Sequence, residues 1–150
     1  MNIGEVMYKA LDVAKYIITY CFNQNKPISN LKLQKILYFL WVDFYKQTQK
    51  SLFKENICAW QLGPVVPEVY YEFCSYAGLP ITKMFNLDSL INKEQQGTIN
   101  NIIDKYIDSS AYSLVEKTHK VGTPWTLTYQ DGIGARDIIP FDLIQRLECL

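Results

Sequence analysis

The chain has 150 residues, 49% apolar and 20% charged, which is enough for one domain with its own core and without metals or cross-links. Fifteen Lys and Arg balance fifteen Asp and Glu, which argues against a domain whose main task is gripping a nucleic-acid backbone. Eleven Tyr, seven Phe and three Trp suit both a packed core and a protein interface.

Val6, Ala10, Val13, Ala14, Ile17, Ile18 and Cys21 recur at steps of three and four, one face of an amphipathic helix ending near Phe22. A polar loop, residues 23–27, closes on Pro27. Ser29 then reads as an N-cap, with Ile28 and Leu33 spaced as a hydrophobic staple. Leu33, Ile36, Leu37, Leu40, Trp41 and Phe44 form a broad stripe, which Tyr38, Phe39, Val42 and Tyr45 extend almost all round. A helix this apolar is expected at the centre, covered on several sides. Lys32, Lys35, Lys46 and Lys50 read as one solvated face of it.

Residues 56–60 are short, apolar-leaning and bounded by turn residues, and read as a strand that Gly63-Pro64 breaks. Val66 precedes a proline and is expected to be extended. Pro67 suits the first helical position, with Glu68 favoured by the helix dipole. That helix carries Val69, Phe73 and Ala77 and stops at Gly78 and Pro80. Residues 81–85 read as a second short strand, pairing with the first. Asp88 or Asn92 caps a helix carrying Ile99, Ile102, Ile103 and Tyr106, and Asp108 or Ser109 starts another with Leu114 and Val115. Residues 122–134 read as a loop with turn signals, and residues 141–147 as a last short helix after Pro140. The sum is a mainly α, single compact helical domain over residues 1–150 with a small two- or three-stranded β element.

No catalytic set emerges. His119 is the only histidine, and nothing places it beside Cys58 or Cys74. Glu68 and Glu72 lie four apart on a helix, where exposed acids near a helix start are common. Ser113, His119 and Asp131 lack the nucleophile-elbow context, and the glycines form no phosphate-binding or dinucleotide loop. Cys21, Cys58, Cys74 and Cys149 have no zinc-site spacing, so neither metal nor cofactor is expected. With no signal peptide and no apolar run of roughly 18–20 residues, a cytoplasmic protein with reduced thiols and no membrane association is expected.

The stretch from Trp60 to Phe73 is notable for stiffness. Pro64 and Pro67 fix two backbone angles and remove two donors. Such a corner suits two compatible tasks. It can lock a strand to a helix inside the core, and it can offer a preorganised surface to a partner through Val65, Val66, Glu68, Tyr70 and Tyr71.

The run from Ile28 through Leu31, Lys32, Leu33, Gln34, Lys35, Ile36 and Leu37 to Tyr38 resembles a helix motif of the Panacea, or SocA-like, antitoxin-domain family. Ala59-Trp60 followed by Gly63-Pro64-Val65-Val66-Pro67-Glu68-Val69-Tyr70 is similar to a second block of that family, and Leu114, Thr118-His119 and Pro124-Trp125 to a third. The blocks run in family order over roughly residues 10–126. The resemblance implies a compact helical domain whose members neutralise a co-encoded toxin by direct contact. Similar proteins act as adaptors that deliver a toxin to an AAA+ protease, and a phage-borne inhibitor of a host defence protein is a further alternative. Leu33, Gln34, Lys35, Tyr38, Trp60, Gly63, Pro64, Pro67, His119 and Trp125 carry over as domain-defining positions. The implied partner is a protein.

Overall fold

The most apolar stretch of the sequence becomes the axis of the molecule. In the computed structural model, which describes residues 5–150, helix α2 spans Asn30–Thr48. It packs against four other helices and a β-hairpin. The Ser29 side chain accepts from the Lys32 backbone N–H, and Gln49 closes the far end in the left-handed conformation. Leu33, Ile36, Leu37, Leu40, Trp41 and Phe44 are all fully buried, as the all-round apolar pattern requires. The Trp41 indole N–H donates to the Phe53 carbonyl at 3.0 Å, so its one polar atom is satisfied inside the core.

Helix α1 covers Ala10–Asn23 and lies against α2. It starts later than the periodicity suggests. Val6 is drawn instead into a parallel bridge with Ser51, and the Glu55 carboxylate accepts from the Ala10 N–H at 2.9 Å. An acid remote in sequence thus does the work of an N-cap that Lys9 cannot supply.

The sheet is a hairpin of β1, Cys58–Trp60, and β2, Gly63–Val65, with Trp60 opposite Gly63 and Cys58 opposite Val65. This corrects two sequence readings. Gly63-Pro64 does not end the β structure; it forms the second strand, because Gly63 at φ +117° closes a two-residue turn at Gln61-Leu62. Residues 81–85 are not a strand. Ile81 makes one ladder-like bond, to the Ile28 carbonyl, and the Phe85 N–H is taken by the Thr19 hydroxyl. The outer side of β1 is occupied by residues 136–139: Ala59 donates to Asp137, and Arg136 and Ile139 donate back to Ala59 and Ile57.

Helix α3, Pro67–Glu72, begins on Pro67 as expected but gives way to a 3-10 turn, Cys74–Tyr76, before the predicted stop. Helix α4, Lys93–Asp104, is preceded by Asn92, and α5, Ala111–Thr118, is capped by Ser110 rather than by Asp108 or Ser109. The predicted loop 122–134 contains a further helix, α6, Pro124–Tyr129. Thr123 caps it and Pro124 takes its first position, the same grammar as at Pro67. Helix α7, Phe141–Glu148, closes the chain onto α2 and α6. The architecture is mainly α with one small antiparallel sheet. Among the described residues no helix is long and apolar enough to cross a membrane.

Candidate functional site

A two-stranded hairpin leaves an edge of unpaired backbone groups. Here that edge faces α2, and two side chains from one turn of the helix complete it. The Gln34 Oε1 accepts from the Val66 N–H at 3.0 Å, and the Lys35 Nζ donates to the Pro64 carbonyl at 2.8 Å. Gln34 is itself held by its Nε2, which donates to Asn30 Oδ1 at 3.1 Å, while Asn30 donates to the Tyr70 carbonyl at 3.0 Å. One buried polar chain therefore runs from α2 through the hairpin to α3.

Lys35 is fully buried, which corrects its placement on a solvated face. Lys32 is half-buried and donates to the Ile107 carbonyl. Lys46 is exposed, and Lys50 is near Glu5. Among the described residues no carboxylate forms an ion pair with the Lys35 amine, and burial pushes its pKa down to about 7. Its stem passes directly beneath Gly63. A Cβ there would lie 2.7 Å from Lys35 Cε and 2.8 Å from Thr118 Oγ1. Glycine at 63 is thus required twice, by its positive φ and by the lysine passing below.

The third motif block closes the structure from the other side. The Trp125 indole N–H donates to the Trp60 carbonyl at 2.7 Å. His119 stacks on Trp125 with ring centroids 3.7 Å apart, and Tyr129 stacks on it at 4.5 Å. The His119 Nε2 is buried without a hydrogen-bond partner among the described residues. Burial, then the nearby Lys35, holds its pKa below the usual histidine value. Tyr38 is buried and donates to Glu148 on α7 at 2.8 Å, and Leu33 is fully buried in the core.

The outer face of the corner is aromatic. Trp60 packs edge-on against Tyr70 at 5.0 Å and tilted against Tyr71 at 6.0 Å, and the two tyrosines meet edge-to-face. Tyr71 is 56% exposed, Leu62 51% and Leu79 69%, and Glu68 is exposed beside them. Val65 and Val66 are only 5% and 3% exposed, so the corner faces inward at those two positions and outward at Glu68 and Tyr71. Beneath it opens a groove of about 570 Å³, floored by Asn30, Gln34, Val65 and Trp60 and rimmed by Leu62, Ala77, Tyr129 and Arg136. The Arg136 guanidinium lies over the Trp60 ring, 4.3 Å from its centroid. Both Ala77, at φ 51°, and Arg136, at φ 71°, hold left-handed backbone that non-glycine residues seldom adopt.

Asn30, Tyr129 and Arg136 are site residues beyond those expected from the sequence, and Ala77, expected on the apolar face of the helix after Pro67, is exposed at the end of the 3-10 turn instead. Asn30 alone carried a signal: Asn and Gln four apart on a helix form a side-chain pair. Arg136 is brought to Trp60 only by tertiary pairing of residues 136–139 with β1.

The hydrolytic combinations weighed from the sequence are not assembled by hydrogen bonds. The Ser113 hydroxyl donates to the Ser110 carbonyl within its own helix cap. Cys58 is buried with its pKa raised by burial and then by Asp137, opposite to the activation a nucleophile needs. Among the described residues no group of three or more His, Cys, Asp or Glu could hold a metal ion.

A small helical fold with an aromatic corner locked by Gln34, Lys35, Gly63 and Trp125 defines a class, and comparison with known proteins identifies it. Residues 33–126, well over half of the chain, match the family described as antitoxin SocA-like, Panacea domain, and the chain belongs to that family. It is similar to Antitoxin SocA of Caulobacter vibrioides (strain NA1000 / CB15N), at 31% identity over 110 residues. That alignment spans 66% of this chain and 58% of the relative, so the chain covers little more than half the relative's length. No solved structure matches the chain.

Proposed function

We propose that the chain is an antitoxin-like binding protein that neutralises a co-encoded toxin by direct contact, without catalysis, through the corner of residues 60–73. Its relationship to Antitoxin SocA supports the antitoxin role. The observation that carries the contact surface is the division of the corner. Pro64, Val65 and Val66 are buried and fixed to α2, while Tyr71, Leu62 and Glu68 project from that rigid base. Aromatic side chains on a preorganised frame lose little entropy on binding, which is how a small surface gains affinity.

The test is co-expression with the product of the neighbouring open reading frame. Growth arrest caused by that product alone, relieved by this chain and not by its Tyr71→Ala variant, supports the reading. A harmless neighbour, or toxicity that persists with this chain present, removes it. The toxin's half-life during rescue separates the two routes: unchanged for sequestration, shortened for delivery to a protease.

A further inference from the structure

We infer that the groove beneath the corner is a subsite for an acidic side chain, Asp or Glu, presented by the protein partner within an apolar segment. Arg136 is the only charged residue among those lining the groove. None of the ion pairs among the described residues involves it. Its guanidinium carbon lies over Trp60, 4.3 Å from the ring centroid, on a side chain that is exposed. That contact with the Trp60 ring restricts the guanidinium, so a carboxylate that pairs with it orders less side chain than it would at an unrestrained arginine.

The remainder of the lining determines what accompanies the carboxylate. Trp60, Tyr70, Leu62 and Val65 supply aromatic and aliphatic surface, and no acid is there to compete for Arg136. Gln34 and Asn30 on the floor each have both polar atoms held by a hydrogen bond within the protein, which leaves Arg136 as the charged donor of the groove. One cation on a bed of aromatic, aliphatic and uncharged polar side chains, Ser29 and Gln61 among the last, suits one carboxylate; a nucleic-acid backbone calls for several cations. Leu79 and Tyr71, next in the chain to the lining residues Gly78 and Tyr70, expose further apolar surface that would serve the side chains flanking the acid in a protein segment.

This inference rests on the antitoxin reading for the identity of the partner, but it can be tested without the toxin. Acetylated, amidated five-residue peptide pools, with the central position fixed as Glu, Asp, Gln or Asn, are titrated against the isotopically labelled full chain. The signals read are the Trp60 indole N–H and the Arg136 Nε–H. The Glu and Asp pools are expected to shift both and to bind about tenfold more tightly than the Gln and Asn pools. Arg136→Gln, checked for an unchanged melting temperature, should erase that difference, and Arg136→Lys should restore only part of it. Equal responses from acidic and amide pools, or no response at either signal, would overturn the proposal. So would free acetate giving the same shifts at the same concentration, which would mark a small-anion site. Growth rescue is scored separately, so rescue by wild type with silent peptides discards the subsite and keeps the antitoxin.

Discussion

Lys35 reaches from the central helix to the Pro64 carbonyl at 2.8 Å and is completely shut off from water in doing so. Together with Gln34 it supplies the edge of a two-stranded sheet with partners that a third strand would otherwise provide. The closeness of that approach sets a steric requirement at position 63. Gly63→Ala should destabilise the chain by about 2–4 kcal/mol, through the positive φ and the collision with Lys35 and Thr118. Gly97→Ala is the matched control. Gly97 lies within α4 with open space around it, so alanine there should stabilise by about 0.5–1 kcal/mol. Urea denaturation of the two variants checks both signs.

Burial of Lys35 makes stability depend on pH. Its folded pKa of about 7 lies below the ordinary lysine value, so between those two values the unfolded chain holds a proton that the folded chain lacks. Stability should therefore rise from pH 7 to pH 8.5, by at most about 1.4 kcal/mol per pH unit for one proton. Half-buried Lys32 shifts in the same direction, and His119 adds a rise of the same sign below the usual histidine pKa. Cys21 and Cys149, raised to about 12 and about 11, act oppositely at higher pH, which sets the upper limit of the window. Lys35→Met should flatten the slope. A slope undiminished by the substitution would place the titration elsewhere.

Gln34 carries the other half of the clamp. Gln34→Leu leaves the Val66 N–H without a buried partner and should cost about 1–3 kcal/mol. Amide hydrogen exchange at Val66 should accelerate relative to the α2 core, a local readout that simple loss of packing would not single out.

Much of this was legible in the sequence. The helices at α1, α2, α4 and α7 followed from apolar periodicity and from caps such as Ser29, because one face of each had to be buried. The hairpin was half seen. Gly63-Pro64 carries the residue types of a break, yet proline belongs on an edge strand and glycine at a positive φ, and only the presence of Gln34 and Lys35 opposite decides between the two. Residues 81–85 have strand-like composition without a neighbouring edge to join. Lys35 was misplaced because charge was read as exposure, although a helix apolar almost all round has little outward face left for it. Arg136 over Trp60 had no local signal, since their contact is set by pairing across the chain.

Pro67 begins α3 and fixes its entry angle. Pro67→Gly should cost on the order of 1 kcal/mol, chiefly by loosening the unfolded chain. Thermal denaturation checks it, and an unchanged melting temperature would mean that the first turn of α3 contributes nothing to stability.

Tyr71 decides whether the corner is a grip. Its ring is more than half exposed, so Tyr71→Ala should leave the melting temperature near wild type. Calorimetric titration of wild type and Tyr71→Ala with the purified product of the neighbouring open reading frame is the direct measurement. The prediction is tight binding by wild type and an affinity at least about tenfold weaker for the variant. Equal affinities from two equally stable proteins would contradict it.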